Sequence, residues 1–471
     1  MSALDPLLRQ YHELLPLLRS SDNIGGTDDG GIENTVQVVE CQIAWVVYII
    51  AATIGCPTFG AVYNKAGNEL YDAELCKRVL TLTVSLDKEM AQSQGNVRPD
   101  HRLELAILYF IGNFRKSYLM EQHGMPSPSN HAQEDLLDPE ASRSSSLSNY
   151  RSSSENLRSA RRKLFESMFQ SMGLGDHLVV VSQIIQKIST TLKYWTDNGV
   201  IIQETIDIFK ELAYSYTNAK MLLSLEVVQD ILSKHTADYF DFLKPLENSR
   251  FRTTWYATLA KLICISDDPD PSFERFMSPI LNNMDRLLQV VNQRHDEVAK
   301  RITDVSRDLR GIVAATHNSR SYAMVFDALY PKYLPLFVNA CSTWADTPTV
   351  IIPVLKFFAE LVFNRSQRIT FDNSSPNGIL LFKETSKVIT NSGSALLQIS
   401  PRQDVYKEKY KPIFVCYEIL AKALEGGYVN FGVFRLYNDQ CKCLARNNCL
   451  TQMNVYVLIA ILQAWMMRFV P

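Results

Sequence analysis

The sequence predicts an all-α protein arranged as an α-solenoid, a stack of antiparallel helix pairs. Three observations predict it. Apolar residues recur at helical spacing along most of the chain. Long alternating runs joined by Asn-Gly or Asp-Gly hairpin turns, the mark of strands, are absent. Finally, 471 residues exceed the roughly 250–300 at which a single hydrophobic core stops growing. Several domains or an extended repeat array are therefore required, and a compact multi-domain helical protein is the structural alternative.

From the N-terminus, Met1 to Arg19 carries no secretory signal, because Asp5, Pro6, Arg9 and Glu13 interrupt any apolar stretch. Residues 43–54 are too short for the ~20 apolar residues of a membrane span and predict a buried helix. Leu103, Ile107, Phe110 and Phe114 then recur every three or four residues, with Arg102, Glu104, Asn113 and Lys116 among the polar positions. Ile184, Ile188, Leu192 and Trp195 repeat the pattern, with Gln186, Lys187 and Lys193 in between. Such spacing lays one apolar stripe along a 3.6-residue helix. Breaks at 173–176, 198–199, 245–249, 267–271, 347–348, 374–378 and 426–427 mostly separate segments long enough for one or more helices. Helices this amphipathic must stack on one another, and pairs of ~40–47 residues are the HEAT/armadillo pattern, which gives room for roughly ten units. Residues 455–470, interrupted by Gln463 and Arg468, again fall short of a membrane span.

Residues 121–159 break the rhythm. Apolar side chains are sparse there, and nine of the eighteen residues from 142 to 159 are serine. Such a composition cannot offset ordering entropy, which predicts a Ser-rich disordered insert. Two Arg-Ser-Ser-Ser copies place Ser146 and Ser154 three residues after Arg143 and Arg151. Basic-directed kinases favour that spacing, and phosphorylation would add negative charge to the segment; an unmodified polar loop is the equal alternative. Arg158, Arg161, Arg162 and Lys163 read either as a nuclear-import patch or as the solvated first turns of the next helix.

Composition narrows the function classes. Forty-eight Lys and Arg against fifty Asp and Glu give a net charge of −2, which argues against a bulk nucleic-acid binder. Nine Cys, six of them isolated in the chain, do not suggest a disulfide framework and favour a reducing compartment. Phosphate-binding loops, the His-Glu-x-x-His zinc motif and the Gly-x-Ser-x-Gly nucleophile elbow are missing. Cys441, Cys443 and Cys449 form a cysteine cluster with the wrong spacing for a zinc knuckle and no fourth ligand. The expectation is a protein that is not an enzyme, holds no cofactor or metal, does not bind nucleic acid and has no membrane span.

Polar runs at positions where a packed helix should be simple carry more information. Arg307 and Arg310 lie about one turn apart on the same side of a helix, with Asp304 and Asp308 able to pair with them or with other neighbours. Arg365 and Arg368 follow an apolar helix, where they either complement its dipole or face a partner. Next, Pro376-Asn377-Gly378 is suited to reversing the chain before a new element.

These runs, in this order, resemble the exportin-7 branch of the importin-β (karyopherin) family. The matching segments are Trp45-Val46-Val47-Tyr48-Ile49-Ile50, Leu192-Lys193-Tyr194-Trp195, Arg307-Asp308-Leu309-Arg310-Gly311-Ile312 and Pro353-Val354-Leu355-Lys356. They continue through Asn364-Arg365-Ser366-Gln367-Arg368, residues 374–385, and Tyr428-Val429-Asn430-Phe431-Gly432 on to Tyr437. The resemblance implies a HEAT-repeat superhelix that binds Ran-GTP and protein cargo, contacts nucleoporins, and moves between nucleus and cytoplasm through the nuclear pore complex. A non-transport α-solenoid scaffold for protein–protein interaction is the alternative. The family's N-terminal repeats, its principal Ran-GTP surface, have no counterpart before Met1, and the sequence leaves the family after Tyr437, so the chain reads as a middle portion. The expected organisation is HEAT-like repeats over 1–120, the insert over 121–159, HEAT-like repeats over 160–437, and a divergent apolar tail over 438–471. Arg307, Arg310, Arg365, Arg368 and Asn377 are the expected partner contacts, and Ser146 and Ser154 the expected phosphorylation sites.

Overall fold

Leu103, Ile107, Phe110 and Phe114 are fully buried along one helix, and Ile184, Ile188 and Leu192 along another, so the 3.6-residue stripes are the packing surfaces. The computed structural model describes residues 4–21, 29–55, 68–119, 170, 177–371, 375–400 and 403–429. Among them are sixteen α-helices and no strand. In chain order these are α1 (Leu4–Ser21), α2 (Asp29–Gly55), α3 (Asn68–Gln92), α4 (His101–Phe114), α5 (His177–Tyr194), α6 (Gly199–Leu212), α7 (Tyr216–Leu223) and α8 (Glu226–Ser233). They continue with α9 (Arg252–Ile265), α10 (Pro269–Val290), α11 (Asp296–Ala315), α12 (Ser319–Leu329), α13 (Leu334–Thr343), α14 (Pro348–Leu361), α15 (Asn377–Gln398) and α16 (Lys411–Glu425). The expected insert at 121–159 and tail at 438–471 lie outside the described residues.

Breaks in the sequence fall at helix ends for identifiable reasons. The Asn198 side chain accepts from the Val200 and Ile201 backbone N–H groups and caps α6. Pro348 opens α14, where a missing N–H costs nothing. Gly427, at φ +67°, follows the end of α16 in the left-handed conformation that glycine tolerates.

The chain divides into two units, residues 1–242 and 243–471. Within the first, α1, α2, α4 and α6 pack in succession as one row, and α3, α5 and α8 as a second. Within the second unit, α9, α11, α14 and α16 form one row, with α10, α13 and α15 behind it. Two rows of sequential helices, each pair resting on the next, make an α-solenoid.

Two sequence expectations change. Glu104 and Lys187, counted among the polar positions between the apolar stripes, have no exposed surface. Lys187 Nζ donates to Glu104 at 2.8 Å and lies 3.1 Å from Asp87, while Thr191 donates to the other Glu104 oxygen at 2.8 Å. A buried charge persists only when paired in this way. The twelve-residue apolar stretch at 43–54 is the end of a longer helix, of which residues 34–54 are long and apolar enough to cross a membrane by length and composition. In this fold Ile43, Val47 and Ala51 of that helix are fully buried, while Trp45 and Ile49 are exposed. Glu40, on the same helix, is buried with Tyr11 Oη and the Asp100 N–H bonded to its carboxylate at 3.0 and 2.9 Å.

Candidate functional site

Helix α11 holds the first pair of expected contacts. Its carboxylates are not shared with Arg307 or Arg310. Asp308 instead receives two hydrogen bonds of 2.7 Å from Arg252 of α9, both residues being buried. Arg252 also donates to the Leu243 carbonyl at 3.1 Å and lies 3.7 Å from Asp304, which accepts from Ser249 at 3.1 Å. Burial pushes the Asp308 carboxyl up to about 6, against the opposing pull of Arg252. The planar fork of arginine, matched to a carboxylate, makes this a strong, directional tie between α9 and α11.

That tie works because the two helices come unusually close. A Cβ on Gly311 would lie 2.9 Å from the Ala257 backbone nitrogen and would run into the Thr253 carbonyl. Only glycine lets the backbones meet at this point.

With both aspartates drawn toward α9, Arg307 and Arg310 are left without an ion pair or side-chain hydrogen bond among the described residues. Arg307 is half-buried and its Nε has no acceptor. Burial lowers the Arg307 pKa, partly offset by Asp304, with Arg310 lowering it further. Lys356 of α14 is subject to the same field: burial first, then Arg310 and Lys411, hold its ammonium below the ordinary lysine value. Four cations on three successive helices of one row are thus electrostatically coupled.

The Asn364–Arg368 run forms a tight turn after α14. Ser366 and Gln367 adopt φ values of 53° and 56°. Asn364 accepts from the Ile369 N–H at 2.7 Å and donates to the Gly426 carbonyl at 2.5 Å. The turn directs Arg368 inward, where it has no exposed surface. Its guanidinium donates to the carbonyls of Val313 (2.6 Å), Thr316 (3.1 Å), Glu360 (2.7 Å) and Phe363 (3.0 Å), and to the Glu360 carboxylate at 3.2 Å. These carbonyls lie at the C-terminal ends of α11 and α14, where helix carbonyls run short of partners; those of Val313 and Glu360 also accept from the Thr316 and Phe363 N–H groups at 3.2 and 3.3 Å. Arg368 is therefore corrected from a partner contact to an internal clasp between two helix C-termini. Arg365 is partly exposed, donates to the Ala314 carbonyl and pairs with Glu360 at 2.9 Å. Asn377 is half-buried at the first position of α15, and Gly378 beside it faces the Tyr428 carbonyl so closely that a Cβ would clash. Ser146 and Ser154 lie outside the described residues.

Sequence reasoning missed the buried Arg252 as the partner of Asp308, and Lys356 and Lys411 as further cations of this row. Lys356 follows the apolar run Val350–Leu355 and Lys411 precedes a proline; neither pattern betrays a neighbour some fifty residues away. Among the described residues no group of three or more His, Cys, Asp or Glu is placed to hold a metal ion.

Comparison with known proteins agrees in extent with the resemblance read from the motifs. The family described as "Exportin-7-like, TPR domain" matches residues 1–251. Exportin-7-B of Xenopus laevis is 36% identical over 414 residues, covering 86% of this chain and 34% of that protein. Ran-binding protein 17 of Homo sapiens is 33% identical over 421 residues, covering 87% of this chain and 35% of its own length. Exportin-7 of Dictyostelium discoideum is 32% identical over 415 residues, 86% of this chain and 37% of that one. The chain spans about a third of the length of these relatives.

Proposed function

The chain belongs to the exportin-7-like family, and on that premise we propose that it acts as a portion of a nuclear transport receptor, binding Ran-GTP and protein cargo. In this reading it performs no chemistry of its own, contacts nucleoporins, and moves between nucleus and cytoplasm. One observation carries the reading into the structure. The similarity takes in helix α11, where Asp304 and Asp308 are drawn to Arg252 and the Arg307 and Arg310 side chains are left unpaired among the described residues. Unpaired, half-buried arginines are costly to fold and are repaid by a partner that supplies acceptors. Arg307 and Arg310 are the proposed contacts; Arg365 and Asn377 are proposed as secondary ones, since both are partly accessible.

A pull-down with Ran loaded with GTP or with GDP tests this. Retention of the GTP form alone, weakened in Arg307→Gln/Arg310→Gln, is the expected result. Equal retention of both forms, or of neither, would remove Ran from the account and leave a helical scaffold.

A further inference from the structure

The row α11–α14–α16 carries a track of cations. Arg307 and Arg310 lie on α11, Lys356 on α14 and Lys411 at the start of α16, and none has an ion pair or side-chain hydrogen bond among the described residues. Carboxylates that could neutralise the track are committed elsewhere. Asp304 and Asp308 serve Arg252 and Ser249. Glu360 is held by Arg365 and Arg368. Glu418 of α16, whose charge partly offsets the field on Lys356, is bonded to Lys422 at 2.6 Å. Like charges facing one another on packed helices, with Arg307 Nε buried and lacking an acceptor, are a local cost of folding that an incoming anion would relieve.

We propose that this track is a docking surface for an acidic segment of a partner protein, whose Asp and Glu side chains cross the row from α11 to α16 and pair with Arg310, Lys356 and Lys411 in turn. Packed helices are spaced about 8–10 Å apart, so an extended chain, rising about 3.3 Å per residue, can place a carboxylate over each successive helix at every third residue. Exposed Tyr410 and Phe414, one helical turn apart beside Lys411, add an apolar flank at one end. A nucleic acid fits less well. Four cations fall short of the roughly 6–10 phosphate contacts that sustain strong electrostatic binding, and the chain as a whole carries a net charge of −2. The proposal deepens the receptor reading by naming the chemistry of a partner and rests on it for the partner's identity, although the peptide test below involves neither Ran nor nucleotide.

The test is fluorescence polarisation of the full chain with a short fluorescein-labelled poly-glutamate peptide, beside a poly-lysine peptide and a single-stranded oligo-uridine. Saturable, salt-sensitive binding of poly-glutamate alone is expected. In Arg310→Gln/Lys356→Gln it should weaken by about tenfold or more, the scale of losing a charge-assisted contact. Neither side chain makes a hydrogen bond among the described residues, so the melting curve of this variant should be unchanged or shifted upward. Lys411→Glu, at the outer end of the track, is the second variant and should weaken binding on its own. Absence of poly-glutamate binding, equal binding by the variants, or preference for oligo-uridine would each overturn the proposal. Loss of Ran retention with peptide binding intact would defeat only the receptor reading; normal Ran retention without peptide binding would defeat only this one.

Discussion

Replacing Arg368 by alanine removes a side chain that reaches four main-chain carbonyls at the ends of α11 and α14. The Val313 and Glu360 carbonyls keep N–H donors from Thr316 and Phe363, so the Thr316 and Phe363 carbonyls are the ones that lose their donor, at about 1–3 kcal/mol each. Against this, the guanidinium pays a desolvation penalty of several kcal/mol in the parent protein, seen as a pKa lowered first by burial and then by the neighbouring Arg365 charge. Water entering the vacated space would also satisfy part of the loss. The net expectation is a destabilisation of about 3–5 kcal/mol, a large share of the 5–15 kcal/mol that holds a typical domain. Urea unfolding followed by circular dichroism reads the change as a lower midpoint. Because repeat arrays open unit by unit, hydrogen exchange should show the loss concentrated in the last turns of α11 and α14. Arg368→Lys should fall between, since an ammonium supplies three donors without the planar fork. A midpoint for Arg368→Ala equal to that of the parent would refute the clasp.

Gly311→Ala opposes two effects: alanine favours an isolated helix by about 1 kcal/mol, but its Cβ meets the α9 backbone. Overpacking costs about 1–3 kcal/mol, so a lower melting temperature is expected and a higher one would refute the close approach. Lys187→Met should destabilise by about 3–5 kcal/mol by stranding Asp87 and Glu104. Part of that loss should return at acid pH, where the stranded carboxyls protonate, and a pH-independent deficit in urea midpoints would contradict the pairing. Burial raises the Glu40 carboxyl to about 7, from an ordinary 4.5. A raised carboxyl stabilises the fold fully below its unfolded pKa and loses that contribution as pH climbs through the folded one. Thermal midpoints should therefore fall between pH 5 and 8 by an amount worth up to about 2–3 kcal/mol, and Glu40→Gln should flatten that slope.

Much of the architecture was legible because helical burial repeats locally. A stripe such as Leu103, Ile107, Phe110 and Phe114 announces both its period and its buried face, and Asn198, Pro348 and Gly427 mark helix ends through backbone chemistry confined to a few residues. The order of the motifs, from Trp45 to Tyr437, was likewise enough to point to the family that the comparisons identify.

The partners of charged residues were not legible. Asp308 could have paired with Arg307 or with Arg310 on its own helix; it pairs with Arg252, 56 residues away, because α9 meets α11 across Gly311. Arg365 and Arg368 look alike in sequence, yet the turn through Ser366 and Gln367 leaves one partly exposed and sends the other into the interior. Glu104 and Lys187 are polar positions on separate helices in the sequence, and only the packing of the first unit brings them into a buried pair. Periodicity and capping are properties of neighbours along the chain, so the sequence by itself determined the helices and their apolar faces. Which charge meets which, and which cations stay unpaired, depends on contacts between helices distant in the chain, and only the tertiary structure decided it.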